Sequence, residues 1–303
     1  MDRDALVVGE SLIDIVRGSD GSTVEYAGGS AANVAVALAR LGRAVRFASS
    51  WADDDRGRLL ARHVADAGVS LASDPHAVAR TSTAIATIGS DGAAAYEFDL
   101  EWRLHPLADG VAPLVVHTCS LGAVLEPGAE AVLELLGRLR SSATISYDVN
   151  ARPAITGTGP AVVELVERVV AVSDVVKASD EDLAALYPDV DTTRAARRLL
   201  DLGPAGVVVT RGAEGATWVS AAGDVEVASL PVAVADTIGA GDTFGAALLD
   251  ALWERGWLGA EHRHVLAALG AAEVAEVLDH ASRAASITVS RPGADPPYRH
   301  ELD

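Results

Sequence analysis

The most chemically informative stretch of this chain is Asp236-Thr237-Ile238-Gly239-Ala240-Gly241-Asp242-Thr243-Phe244-Gly245. Two glycines flank an alanine, and a carboxylate follows at once. A helical spacing of apolar residues then begins: Phe244, Ala247, Leu248, Ala251, Leu252. A glycine-rich turn opening into a helix exposes backbone N–H groups at the positive end of the helix dipole. Such a turn is a phosphate site. A carboxylate beside an anion is costly unless it acts. The act that fits is to orient a hydroxyl and take its proton as that hydroxyl attacks a phosphoryl group, which makes Asp242 the candidate base.

Other phosphate chemistries do not fit. No G-x-x-x-x-G-K-[ST] run exists, and the protein-kinase set His-Arg-Asp and Asp-Phe-Gly is missing. Gly239-x-Gly241-x-x-x-Gly245 superficially matches a dinucleotide fingerprint, but it lies near the C-terminus and its aspartate would face a pyrophosphate with nothing to do. A second constellation is Gly28-Gly29-Ser30-Ala31-Ala32-Asn33. Paired glycines admit close approach of a ligand to the backbone. Asn33 offers both donors and acceptors, which suits a polyol. The plain alternative is a tight turn with Ser30 as a helix N-cap.

The elements that must position these residues alternate in kind. Strands are expected at Leu6–Val8, Val45–Ala48, Leu114–Val116, Ile145–Tyr147, Val175–Val176 and Gly206–Thr210. Helical periods cover Ala31–Leu41, Arg58–Ala67, Ala129–Leu139, Pro160–Val172, Thr193–Leu202, Ala240–Glu254, His262–Leu278 and Ser282–Thr288. That alternation predicts a parallel sheet with crossover helices. Residues 12–26 and 81–99 lack helical period, and Asp91-Gly92 reads as a turn. They predict antiparallel strands outside the main sheet, either a flap that excludes water from phosphoryl transfer or an extra edge hairpin.

Bulk properties narrow the class. The 303 residues are 50% hydrophobic, enough for a large core, and the net charge of −19 argues against nucleic acid or an anionic membrane as partner. The lone Cys119 excludes an internal disulfide and a Cys/His zinc cluster, and fits a reducing cytoplasm. No apolar run is long enough to span a membrane, and the start of the chain has no basic leader pattern.

Taken in order, several segments resemble the ribokinase (PfkB) family of carbohydrate kinases. They are Gly9-Glu10 with Asp14, the Gly28–Asn33 run, Asp148-Val149-Asn150-x-Arg152-Pro153, Lys177–Asp182, Thr210-Arg211-Gly212-Ala213-Glu214-Gly215, Asp236–Asp242 and Arg291-Pro292-Gly293-Ala294. The resemblance spans residues 6 to 297. It implies one ribokinase-like domain over 1–303, a three-layer α/β sandwich with a parallel-rich central sheet and a small β-sheet lid. It also implies transfer of the γ-phosphoryl group of Mg-ATP to a sugar hydroxyl.

By the same resemblance, Asp242 is the general base, and the N–H groups of Gly239, Ala240, Gly241 and Asp242 form an anion hole. Each preorganised donor of this kind contributes about 3–4 kcal/mol. Asp14, Gly28, Gly29, Asn33 and Asn150 line the sugar site, and Arg152 steadies substrate or transferring phosphate. Lys177, Thr210, Gly212, Gly215 and Ser282 lie along ATP. Mg²⁺ is held through water by Asp182, with Glu181 as competitor. A monovalent cation site would use carbonyls of Asp236, Ile238, Thr288, Arg291 and Gly293. Pro297 replaces its last hydroxyl ligand, which argues against potassium activation. Asp54 is a candidate for facing substrate.

Tyr96-Glu97-Phe98-Asp99 resembles the fructokinase-like branch, so fructose is the favoured substrate and 2-keto-3-deoxygluconate the second. A nucleoside is third, with Tyr96, Phe98 and Trp102 available for stacking. A sugar-binding sensor without catalysis is the alternative of another class. The lid strands are also where a homodimer would pair.

Overall fold

The structure is a computed structural model that describes residues 4–88, 94–107 and 112–302. Thirteen strands form two sheets. In the first third of the chain are β1 (Ala5–Val8), β2 (Leu12–Arg17), β3 (Thr23–Gly28), β4 (Val45–Ala48), β5 (Ser70–Leu71), β6 (Thr83–Ile88) and β7 (Ala94–Asp99). Beyond them come β8 (Val115–Cys119), β9 (Thr144–Asp148), β10 (Val175–Ser179), β11 (Gly206–Thr210), β12 (Ala216–Ser220) and β13 (Gly223–Val227). The main sheet has the order β13-β12-β11-β10-β9-β8-β1-β4-β5. From β5 to β11 it is parallel, and β12 and β13 extend it as an antiparallel hairpin.

Helices cover both faces. Along β1, Ala5 and Val7 point to one core while Leu6 and Val8 point to the other. The first core holds α1 (Ser30–Arg40) and α2 (Asp55–Asp66). The second takes α3 (Ser120–Val124), α4 (Gly128–Leu139), the short α5 (Pro153–Thr156), α6 (Pro160–Val172), α7 (Asp180–Leu186) and α8 (Thr192–Leu200), apart from α5, which buries nothing. Back on the first face lie α9 (Ala240–Glu254), α10 (Arg263–Leu266) and α11 (Ala271–Val289). This is the ribokinase-like α/β sandwich.

The order of the strands reverses at β1: the chain first builds outward through β4 and β5, then returns to β8 on the other side. Ligands of open parallel sheets bind outside the carboxyl ends of the strands at such a switch. Gly9-Glu10, Cys119-Ser120, Asp148–Asn150 and Ser179 all leave the sheet at that edge.

The second sheet, ordered β3-β2-β6-β7, is the lid. Its β2 and β6 pair in parallel, so the expectation of a purely antiparallel lid is corrected: residues 29–80 lie between them and allow the crossover. The Asp91-Gly92 turn lies outside the described residues. Ile13 and Ile15 are buried against the first core. Registered across the opposite face are Tyr26, Asp14, Ala84 and Phe98 in one row, and Val24, Val16, Ala86 and Tyr96 in the next.

Three other expectations need correction. The segments His262–Leu278 and Ser282–Thr288 are not two helices in that division. The break comes earlier, at Gly270, where Glu273 accepts from the Gly270 N–H at 2.8 Å, and α11 then runs unbroken. No helix breaker separates Leu278 from Ser282, so nothing stops it there. The β12–β13 hairpin and α7 had no expected counterpart. Asp54 does not serve the substrate site. Its carboxylate caps α2 by accepting from the Gly57 N–H at 2.7 Å, and it accepts from the Thr81 N–H and hydroxyl at 3.1 and 2.7 Å.

Asp54 therefore ties α2 to the chain entering β6. Replacing it with alanine is expected to lower stability by about 1–2 kcal/mol, the usual value of a lost N-cap, as read by denaturant unfolding. An unchanged midpoint would mean that the cap carries nothing.

Candidate active site

The N-termini of α1 and α9 meet at the switch point. Gly239 precedes α9 with φ 74 and ψ 0, a left-handed conformation that suits glycine, and no side chain caps the helix. Its first turn is left to an outside acceptor. One of the four expected anion-hole donors is in use: the Ala240 N–H donates to the Thr237 carbonyl at 3.3 Å. The Asp236 carboxylate shapes the turn ahead of the helix, accepting from the Ile238 N–H at 3.0 Å and the Gly293 N–H at 2.9 Å.

Asp242 sits in that first turn and is buried. Its Oδ1 accepts from the Ser30 hydroxyl at 2.6 Å and its Oδ2 from the Asn33 amide at 2.8 Å. Both donors lie on α1. Ser30 is not the N-cap: Gly29 occupies that position with φ 103, and Ser30 is the first helical residue. The Ser30 oxygen also accepts from the Asn150 amide at 2.9 Å, and Asn150 Oδ1 accepts from Arg152 Nη1 at 2.6 Å. Arg152 spends the same nitrogen on the carbonyls of Asn150 and Ala151.

Asp14 projects from β2 over Gly28, where a Cβ would lie 2.2 Å from its Oδ2. That contact explains Gly28 without appeal to its backbone angles. Burial raises the Asp14 carboxyl to about 6, with the Arg152 charge pulling it down. Burial likewise raises Glu10 to about 7, against N–H bonds that include Gly122 at 2.6 Å and the charge of Arg152. These two carboxyls, Asp242 and Arg152 carry charge on the sugar side of the pocket.

Lys177 is buried beneath the α9 turn, its Nζ 3.4 Å from where a Gly241 Cβ would stand. It donates to Asp148 Oδ2 at 2.8 Å. Burial raises Asp148 to about 6 while Lys177 opposes the rise. Burial pulls the Lys177 pKa down, but Asp148, then Asp182 and Asp242, outweigh it and hold the pKa above the ordinary lysine value.

The remaining expected residues divide. Thr210 ends β11 on the same sheet edge, and Gly212 and Gly215 close the turn after it. Gly215 packs on the chain leaving β13, with no room for a side chain before the Val227 carbonyl. Past that point Leu230, Val232, Val234 and Ile238 are exposed, an apolar loop beside the turn. Ser282 is buried on α11, which packs along α9. Phe98 shares the row of Asp14, whereas Tyr96 lies one row further from Gly28, stacked on Phe98 at 6.3 Å. Trp102 is not available for stacking: it is buried in the second core and donates to the Gly122 carbonyl at 3.1 Å.

Of the expected metal pair, Asp182 is spent on the backbone, accepting from Ala151 at 2.8 Å and Ser179 at 2.7 Å, and Glu181 is exposed. Among the described residues no three His, Cys, Asp or Glu converge as a metal cluster. Asp148 Oδ1 is a buried oxygen without a partner, the acceptor that fits a metal-bound water.

A buried carboxylate at a helix N-terminus, opposite a pocket lined by Asp14 and Asn33, is an arrangement for moving a phosphoryl group onto a hydroxyl. Residues 2–301 match the pfkB family carbohydrate kinases. The chain belongs to this family. It is a sugar kinase, a phosphotransferase with an alcohol group as acceptor. A fructokinase of Rhizobium leguminosarum bv. trifolii is 35% identical over 260 residues, covering 82% of this chain and 79% of that protein. An aminoimidazole riboside kinase of Salmonella typhimurium is 32% identical, covering 80% and 79%. The crystal structure of a fructokinase with bound ATP from Xylella fastidiosa superposes with a TM-score of 0.88 at 26% identity, over 100% of this chain and 97% of that one.

Sequence reasoning missed two residues of this pfkB site. Ser30 was legible only as a cap, because its partner Asp242 is 212 residues away. Tyr26 gave no signal, since its place beside Asp14 depends on the β2–β3 register.

The raised pKa of Asp14 makes its ionisation work against the fold. Stability from this group falls as pH rises from 3.8, the ordinary value, to about 6. Asp14→Asn removes that penalty. The variant is expected to melt above the parent at about pH 7.5, with the gap closing toward about pH 4, while sugar KM rises. Calorimetry at both pH values checks this; a gap of equal size at each would put its cause elsewhere.

Proposed function

We propose that this kinase is an ATP-dependent fructokinase in which Asp242 is the general base. The observation that carries the reading is the double anchoring of Asp242 beside the uncapped turn of α9. Asp14 and Asn33 hold hydroxyls of the sugar, and the Gly28-Gly29 backbone lets the ring lie close. As the acceptor oxygen bonds to the γ-phosphorus and the bond to the ADP oxygen breaks, the hydroxyl proton passes to Asp242. The N–H groups of Gly239, Gly241 and Asp242, with Ala240 joining when its weak turn bond is displaced, receive the charge on the transferring group. Lys177 adds a fixed positive charge beneath them.

ATP would run from this turn along Thr210, Gly212 and Gly215, with its base against the apolar loop from Leu230 to Ile238 and the Ser282 side of α11. Mg²⁺ would supply charge neutralisation of the phosphates, and the unpartnered Asp148 Oδ1 would face its waters. The lid excludes bulk water from the pocket.

The ranking of fructose rests on relatives named fructokinase at 28–35% identity. A second reading, aminoimidazole riboside, is favoured by the relative of that name and by Tyr26 and Phe98, aromatic residues in the same row as Asp14 that could stack on a heterocycle. ADP release with Mg-ATP over fructose, aminoimidazole riboside, 2-keto-3-deoxygluconate, ribose, tagatose, glucose and nucleosides separates them. Fructose is expected to give the highest kcat/KM; a riboside above it would reassign the substrate. Asp242→Asn is expected to lower kcat between about 10²- and 10⁴-fold while calorimetry still records ATP binding. Normal turnover in that variant would sink the base assignment.

The exposed lid face of Val16, Val24, Tyr26, Tyr96 and Phe98 supports a homodimer, with a second copy covering it. Light scattering is expected to give twice the chain mass, and Tyr96→Glu to shift it toward the monomer. A monomeric parent at working concentration would remove this part of the reading.

A further inference from the structure

We propose that Ser30 is a positioning residue that joins Asp242 to Asn150 and Arg152 in one directional relay; this rests on Asp242 being the base. Arg152 Nη1 donates to Asn150 Oδ1 at 2.6 Å, Asn150 Nδ2 donates to Ser30 Oγ at 2.9 Å, and Ser30 Oγ donates to Asp242 Oδ1 at 2.6 Å. The direction is forced. A guanidinium has no acceptor and an ionised carboxylate has no donor, so the amide and the hydroxyl between them can each be oriented in one way only. Chains of this kind polarise one another, most of all where water is excluded. Ser30 is buried, and so is Asp242.

The backbone is bent to build the relay. Asn150 has φ 37 and Ser120, which donates to the Asn150 carbonyl at 3.0 Å, has φ 49. Non-glycine residues in this region cost free energy and persist where the surroundings hold them. Here two such residues are bonded to each other, and the result is an Asn150 amide aimed at Ser30. Asn150 was expected to touch the sugar. Its side chain is instead occupied on both ends, by Arg152 and by Ser30.

The relay has a consequence for the reaction. Ser30 and Asn33 put one donor on each oxygen of Asp242, which fixes the plane of the carboxylate. Arg152 also lies within electrostatic reach of Asp14 and Glu10. A change in what Arg152 faces when sugar enters is therefore transmitted to the base through three hydrogen bonds. Ser30 has to be a hydroxyl because it must accept and donate at once.

The test compares Ser30→Ala, Asn150→Ala, the double variant and Asp242→Asn, using kcat, KM for both substrates, the pH dependence of kcat/KM, and melting. Ser30→Ala is expected to lower kcat about 10- to 100-fold with ATP KM unchanged. It should also move the acidic limb of the pH profile upward, since the base loses a donor. Asn150→Ala should act in the same direction, and the double variant should be no slower than the slower single by more than about twofold. A kcat and acidic limb like the parent's in Ser30→Ala overturns the relay, as do single effects that multiply. If Ser30→Ala does not fold, Asn150→Ala carries the test through its own acidic limb. An inactive Asp242→Asn beside a normal Ser30→Ala removes only the relay; an active Asp242→Asn removes the base reading beneath it.

Discussion

A carboxylate buried at the meeting of two helix N-termini is the constraint on which this molecule is built. Asp242 can remain there because donors from α1 face each of its oxygens and because the positive ends of helices favour negative charge. The two helices must approach closely for those bonds to form. The two helices pack against each other and both are rich in small buried residues, with Ala31, Ala32, Ala35 and Ala37 on one and Gly245, Ala246, Ala247 and Ala251 on the other. Close packing of such residues leaves little freedom for either helix to slide. The main sheet below supplies the platform, and β1 delivers Gly9-Glu10 to the same point.

The rest of the pocket repeats the arrangement with other charges. Lys177 is tolerable in the interior because Asp148 lies beside it, and each would be costly alone. Glu10 lies buried between β1 and α3 with a backbone donor on its carboxylate. Around a core of aliphatic residues the chain thus gathers Glu10, Asp148, Lys177, Asp182 and Asp242 where the strands end. The distant ion network about Asp250, which holds Arg43, Arg299 and His280, closes the far end of α9 and has no part in the pocket. Charge at both ends fixes the helix that carries the base.

Much of this was legible before any coordinates. Pro160–Val172 and Ala240–Glu254 were bounded correctly because each has a local start signal, Pro160 in one case and the glycine turn in the other. The candidacy of Asp242 as base followed from its place in the first turn of a helix. What could not be read depends on pairing between distant segments. The parallel contact of β2 with β6 has no local signature, and neither does the row that places Tyr26 beside Asp14 and Phe98 beyond Ala84. Asp54 and Asp182 show the same limit from the other side. Each is an acid in a plausible place, and each is consumed by backbone N–H groups that only the folded chain brings near. The β12–β13 hairpin depends on such distant packing too, with Trp218 filling the space left by Gly206.

The lid and the base are joined by very little chain. Strand β3 ends at Gly28, Gly29 intervenes, and Ser30 already holds Asp242. Gly29 has φ 103, and a side chain on it would lie 2.8 Å from the Ser11 backbone. There is no slack in this joint. A cover hung on a long tether could open and shut without disturbing what lies beneath it; this one is joined directly to the fastening of the Asp242 carboxylate. A change in length at the outer ends of the lid strands would leave this joint untouched, whereas an insertion between Gly28 and Ser30 would turn the first residue of α1 away from Asp242. Length is thus free at the rim of the cover and fixed at the seam where it meets α1.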